Sequence, residues 1–181
     1  MEGEKLASGA KHADNVAPCI YGGFTLVRSI EPLDIVALDF PPMFATVIHP
    51  QIEIKTSEAR AILPTDVPLK DAVYNWSNLG AFVAGLAKGD HDLIGRSLVD
   101  RIVEPARSRA IPMFDEVKQA SLEAGALGGG ISGSGPSIFM LSKTHETASK
   151  VEQAMTNVYS STGIDFNVYV SEISRRGVRS I

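Results

Sequence analysis

Apolar and polar residues alternate along three early stretches, Gly23 to Ser29, Ile35 to Leu38 and Phe44 to His49, which are rich in β-branched and aromatic residues. A period of two marks a strand with one face against a core, so each is read as a strand. Glu31-Pro32-Leu33-Asp34 supplies the turn before the second, and Pro41-Pro42 the break before the third. Beyond them the period lengthens. Thr56 is expected to cap a short helix over 57–63 that Pro64 ends. Asp71 to Ala87 carries Val73, Trp76, Leu79, Phe82, Val83 and Leu86 at a spacing that predicts a helix with one buried stripe. Further helices are predicted over 91–100 and 111–125, the latter with Pro112 in its first turn, where proline is tolerated. Gly128 to Pro136 reads as a loop, Ser137 to Leu141 as a strand, Glu146 to Ser161 as an amphipathic helix and Phe166 to Ser171 as the closing strand.

From Phe44 onward the order is strand, helices, strand, loop, strand, helix, strand. That order predicts an α+β fold, a ferredoxin-like sandwich: an antiparallel sheet with helices on one face and two central strands joined by the glycine-rich loop. Residues 1 to about 40 fall outside that pattern and are expected to be the tail of a preceding domain, leaving 41–181 as the main one. Glu4 to Ala13 reads as the body or end of a helix, and the chain is expected to be a fragment.

Composition narrows the function classes. The 181 residues are 44% hydrophobic and 21% charged, as in an ordinary soluble globular protein. A net charge of -4 gives no electrostatic basis for binding nucleic acid. No apolar run is long enough for a bilayer, so no membrane partner is expected. The polar, acidic start Met1-Glu2-Gly3-Glu4-Lys5 is not a secretory signal, and the lone Cys19 fits a reducing cytoplasm.

Three features carry candidate chemistry. Gly128-Gly129-Gly130-Ile131-Ser132-Gly133-Ser134-Gly135-Pro136 could let backbone N–H groups converge without a Cβ in the way, making a nest for a phosphate or carboxylate. It lacks the lysine of a Walker A loop, and its other reading is a hairpin loop with no ligand. His12-Ala13-Asp14-Asn15 sets three polar side chains just before the apolar Val16-Ala17-Pro18; they are either ligand groups or a helix terminus. No cysteine or second histidine stands at metal-ligand spacing from His12. Arg60 shares a helix face with Thr56, four residues before it, and Arg107 follows Glu104-Pro105-Ala106. A guanidinium suits a carboxylate, although most surface arginines are simply solvated.

Four segments in this order resemble the homoserine kinase branch of the GHMP kinase family: Ser8 to Pro18 (SGAKHADNVAP), Thr56 to Pro64 (TSEARAILP), Glu104 to Arg107 (EPAR) and Gly130 to Pro136 (GISGSGP). The resemblance implies a GHMP kinase C-terminal domain preceded by the tail of an N-terminal kinase lobe. It also implies phosphorylation of the L-homoserine side-chain hydroxyl to O-phospho-L-homoserine in threonine biosynthesis, with ATP and Mg²⁺, in the cytoplasm. On the matching positions, His12, Asp14 and Asn15 are expected in the homoserine pocket. Arg60 and Arg107 would hold the amino acid, chiefly its carboxylate, with Thr56 nearby. Gly130, Ser132, Gly133, Ser134 and Gly135 would support the phosphate-binding region, and Glu4 stands where the family binds Mg²⁺. No general base is assigned; Asp14 could take the proton or bind the substrate amine. The family's Gly-Leu-Gly-Ser-Ser loop does not occur upstream of Glu4, so the isolated chain is expected to be inactive. A homodimer through the apolar surface of the first segment is expected. The alternatives are another GHMP small-molecule kinase and a non-catalytic amino-acid-binding module.

Overall fold

The computed structural model describes residues 12–179. Helix α1 (Val16–Tyr21) leads into a hairpin of β1 (Phe24–Ile30) and β2 (Leu33–Leu38), which pair antiparallel as a sheet of their own. Then follow β3 (Phe44–Pro50), α2 (Thr56–Ala61), α3 (Leu69–Lys88), α4 (His91–Ser97), α5 (Glu104–Arg107) and a 3₁₀ turn over Ser108–Ala110. The chain continues through α6 (Phe114–Glu123), β4 (Gly128–Ile131), β5 (Ile138–Ser142), α7 (His145–Ser160) and β6 (Phe166–Glu172).

The main sheet has the order β4-β5-β3-β6 and is antiparallel throughout, the strand order of a ferredoxin-like sandwich. Its central pair is β3 and β5. The glycine-rich loop therefore joins an edge strand to a central one, not two central strands. Nor is that stretch all loop: Gly128 to Ile131 pair with Leu141 to Ile138 as β4.

Side-chain alternation divides the core in two. Ile48, Ile138 and Met140 point to one face and pack with Val117 of α6 and with Val151, Met155 and Tyr159 of α7. Leu141 points to the other, joining Phe40, Met43, Leu86 and Ile94, with Phe139 packed alongside. Helices thus cover both faces, α6 and α7 on one and α3 and α4 on part of the other, where one covered face was expected. Phe24 and Leu38 of the hairpin also pack on this second cluster, and the Phe24 ring meets Phe40 and Phe82 edge-on at 5.2 and 5.6 Å.

Several element ends differ from the sequence reading for local reasons. Lys55, not Thr56, is the N-cap of α2, and Thr56 is its first helical residue. Helix α4 stops at Ser97, and Asp100 lies in the following turn. Pro112 precedes α6, because Met113 has φ 58, a left-handed conformation that starts the helix one residue later. The predicted stripe on α3 is not buried as a unit. Leu86 is buried and Phe82 is packed on the second cluster, whereas Val73, Trp76 and Leu79 are exposed.

Tyr159 ties the first core together, donating from its hydroxyl to the Pro112 carbonyl at 2.5 Å. Its ring is fully buried, and burial pushes the pKa of its hydroxyl up from 10.0 to about 12. A pKa raised by folding means that stability holds below pH 10 and declines as pH climbs from 10 toward 12. Tyr159→Phe leaves the carbonyl unpaired, at a cost of about 1–2 kcal/mol. In urea titrations the variant is expected to show that loss at pH 7 and a flatter stability profile above pH 10. An unchanged midpoint would mean that the hydrogen bond contributes nothing net.

Candidate active site

The glycine loop is a tight connection between β4 and β5. The Ser132 N–H donates to the Ser137 carbonyl at 2.8 Å, and the Gly135 N–H donates to the Ser132 carbonyl at 3.0 Å. Gly133 and Gly135 take φ values of 60° and 86°, in the left-handed region where glycine has no Cβ penalty. Among the described residues the N–H groups of Gly133 and Ser134, at the tip between those two bonds, have no partner. Two adjacent unpaired donors on a turn can hold an anionic oxygen. The Ser134 hydroxyl lies 3.4 Å from the Gly135 carbonyl, a loose contact that leaves it able to turn outward.

Arg107 connects this loop to α2. Its Nε donates to the Ala59 carbonyl at 3.2 Å and its Nη1 to the Gly133 carbonyl at 2.8 Å. Ala59 is buried on the inner side of α2, while Thr56 and Arg60 stand exposed one turn apart. One guanidinium therefore sets the distance between the helix bearing Thr56 and Arg60 and the tip of the loop. Sequence reasoning treated Arg107 as a carboxylate ligand only; its role as a strut needed the fold.

Arg107 is itself placed by a turn that sequence reasoning missed. The Asp100 carboxylate accepts from the N–H groups of Ile102, Val103 and Glu104 at 2.7–3.2 Å and from Asn75 Nδ2 at 2.7 Å. Asn75 Oδ1 accepts in turn from the Arg101 N–H at 3.1 Å. Burial alone would raise the Asp100 pKa, but these hydrogen bonds overcome it and hold the carboxyl below its ordinary value. An aspartate just ahead of a short helix is a capping signal. A single helix over 91–100 would hide that signal, whereas the helix ends at Ser97 and frees Asp100 to accept.

Glu104, the first residue of α5, forms an ion pair with Lys118 of α6, both side chains being 18% exposed. Its Oε2 lies 2.8 Å from where a Cβ on Gly130 would sit, so Gly130 is small to make room for this carboxylate. Asp100, Glu104, Val103, Gly130 and Phe139 line a cavity of about 240 Å³ beside the loop.

The remaining predicted residues come from the turn ahead of α1. His12 Nδ1 is 2.9 Å from Asp14 Oδ1, with Asp14 67% exposed and so open to a ligand. Asn15 precedes α1, and its side chain makes no capping bond there. This turn is anchored by buried Ala13 and Ala17, by the 2.7 Å bond from the Ala17 N–H to the Ala13 carbonyl, and by the C-terminal segment, whose Val178 N–H donates to the Cys19 carbonyl at 2.9 Å. Glu4 lies outside the described residues. Among them no three His, Cys, Asp or Glu side chains gather as a metal site, and no helix is long and apolar enough to cross a membrane.

This loop-and-sheet arrangement is similar to that of a known kinase domain. Residues 82–161 match the family described as GHMP kinases C terminal. Homoserine kinases are similar to the chain along nearly its whole length. That of Chlorobium phaeobacteroides is 48% identical over 99% of this chain, that of Chlorobium phaeovibrioides 50% over 99%, and that of Thermococcus kodakarensis 44% over 98%. The crystal structure of homoserine kinase from Cytophaga hutchinsonii is 57% identical, with a TM-score of 0.94 over 98% of this chain and 56% of that one. Mevalonate kinase of L. major, crystallised with R-mevalonate, shares the fold at 14% identity and a TM-score of 0.57. The chain spans about 57% of the length of the curated Chlorobium relatives it matches.

Proposed function

We propose that this chain is the acceptor-binding portion of an ATP-dependent homoserine kinase, which transfers a phosphoryl group to the side-chain hydroxyl of L-homoserine in the cytoplasm and yields O-phospho-L-homoserine. The observation that carries the proposal is the Arg107 strut, which holds the Thr56–Arg60 helix face beside the open N–H groups of Gly133 and Ser134. Phosphoryl transfer depends on positioning and on neutralising charge, which supports reading the Thr56–Arg60 face as an acceptor surface and the loop tip as an anion site.

In this reading Arg60 and Arg107 bind the homoserine carboxylate, and Thr56 lies beside them. Asp14, His12 and Asn15 face the amino end of the substrate. Asp14 serves as the amine's acceptor or takes the hydroxyl proton. Gly130, Ser132, Gly133, Ser134 and Gly135 support the phosphates of ATP. Mg²⁺ belongs to the same proposal with Glu4 as its carboxylate. Bound ATP supplies the transferred phosphoryl group, and the residues described here orient the acceptor. Residues 1–40 are read as the tail of an N-terminal lobe and 41–181 as the C-terminal domain. Ile20, Tyr21, Leu33 and Val36 present large apolar side chains on that first segment, and a homodimer through this surface is part of the proposal.

Calorimetric titration of the chain with L-homoserine, with mevalonate and L-threonine as comparators, tests the reading. Homoserine is expected to bind at least tenfold more tightly than either comparator. Mevalonate binding as tightly would favour another GHMP acceptor. Homoserine binding followed by no turnover, in a chain joined to an N-terminal lobe that binds ATP, would favour the non-catalytic amino-acid-binding module.

A further inference from the structure

The glycine loop has few restraints of its own. Two backbone hydrogen bonds close it, and three of its residues, Gly133, Ser134 and Gly135, have no large side chain to pack. What holds it from outside is α5. Arg107, at one end of α5, donates to the Gly133 carbonyl at 2.8 Å. Glu104, at the other end, fills the space over Gly130 and is held there by Lys118. Both grips come from a helix of four residues, which is too short to be stable by itself. Its leading N–H groups have no partner within the helix. Asp100 is the partner: one carboxylate takes the N–H groups of Ile102, Val103 and Glu104, and Asn75 on α3 fixes that carboxylate from behind.

We propose that Asp100 is a positioning residue for the glycine loop, acting through α5 so that Glu104 and Arg107 hold Gly130 and Gly133 and fix the tip of the loop. The functional meaning of that positioning rests on the proposal that the loop supports phosphate. Charge-assisted bonds to backbone N–H groups are the stronger class of hydrogen bond, and three of them converge on one side chain. Asp100→Asn keeps the shape but replaces one oxygen with an NH₂ that cannot accept. That NH₂ would face the N–H groups of Val103 and Glu104 or those of Ile102 and Val103, so the turn loses part of its anchor whichever way the amide points.

The test is amide hydrogen exchange followed by NMR on the whole chain, comparing wild type, Asp100→Asn and Asn75→Ala. The amides of Ser132 and Gly135, which close the loop, are expected to exchange roughly tenfold faster in Asp100→Asn and by a smaller factor in Asn75→Ala. The amides of Val151 and Met155 in α7 are expected to change less than twofold. If loop exchange stays at the wild-type rate, or if loop and α7 amides accelerate by the same factor, the positioning role is overturned. In the second case Asp100 acts only on global stability. If Asp100→Asn fails to fold, Asn75→Ala decides the question by the same comparison. Titration of the wild type with inorganic phosphate separates the two proposals. Shifts at Gly133 and Ser134 that disappear in Asp100→Asn support both. A loop that loosens in Asp100→Asn but shows no phosphate shifts in wild type keeps the positioning role and removes the phosphate reading.

Discussion

Arg107→Ala is expected to weaken L-homoserine binding roughly a hundredfold, the equivalent of losing one or two charge-assisted hydrogen bonds. The expectation has two parts. The guanidinium would no longer be available to the substrate carboxylate. The Ala59 and Gly133 carbonyls, accepting at 3.2 and 2.8 Å, would also lose the donor that spaces α2 from the loop. Arg107→Lys separates these parts. A lysine restores the positive charge but gathers its three donors on one nitrogen, which lacks the planar fork that spans both carbonyls. The lysine variant is therefore expected to recover only a small share of the loss, with calorimetry on the three proteins as the measurement. Full recovery by lysine would show that charge alone matters and that the strut is incidental. Affinity within threefold of wild type for the alanine variant would remove Arg107 from the acceptor site.

The strut also shows where sequence reasoning reached and where it stopped. Strands with a regular period, such as β3 and β6, and the amphipathic α7 were legible because burial on one face writes a period into the residues themselves. The three residues Glu104, Arg107 and Gly133 were legible as members of family motifs. Their mutual arrangement was not, because it depends on contacts between segments 26 or more residues apart. The double-sided core did have a signal: Ile138-Phe139-Met140-Leu141 is apolar at every position, which marks a strand covered on both faces. The α3 stripe misled for the opposite reason. Periodicity says that a face is suited to burial, whereas Trp76, at 64% exposure, shows that none of the described residues covers it. Asp100 was hidden by a boundary. Placed inside a helix it is an ordinary polar residue; placed three residues past the end of α4 it is the acceptor for an entire turn.

Glycine is the residue whose purpose is least visible in sequence, and the glycine-rich segment contains two opposite cases. Gly129 has no positive φ, and its reason is space: a Cβ there would fall far inside contact distance of the Phe139 carbonyl oxygen and within 2.8 Å of Met140 Cα. Both obstacles belong to β5, the strand it pairs with. Neither can move without breaking the ladder. Gly133 has open space around it, but its φ of 60° disfavours any side chain. Gly129→Ala is therefore expected to cost roughly 3 kcal/mol or more, the upper range for overpacking a rigid site. Gly133→Ala is expected to cost only about 1–2 kcal/mol. Urea denaturation of the two variants side by side checks the order. The first variant should also separate β4 from β5 and carry the loop with it, so the exchange of the Ser132 amide should rise more than the global loss of stability explains. Gly133→Ala should leave that amide closer to wild type, because the closing bonds on either side of the tip remain. If the two costs came out equal, backbone conformation and not close packing would be the reason for glycine at both positions, and β4 would tolerate ordinary strand residues.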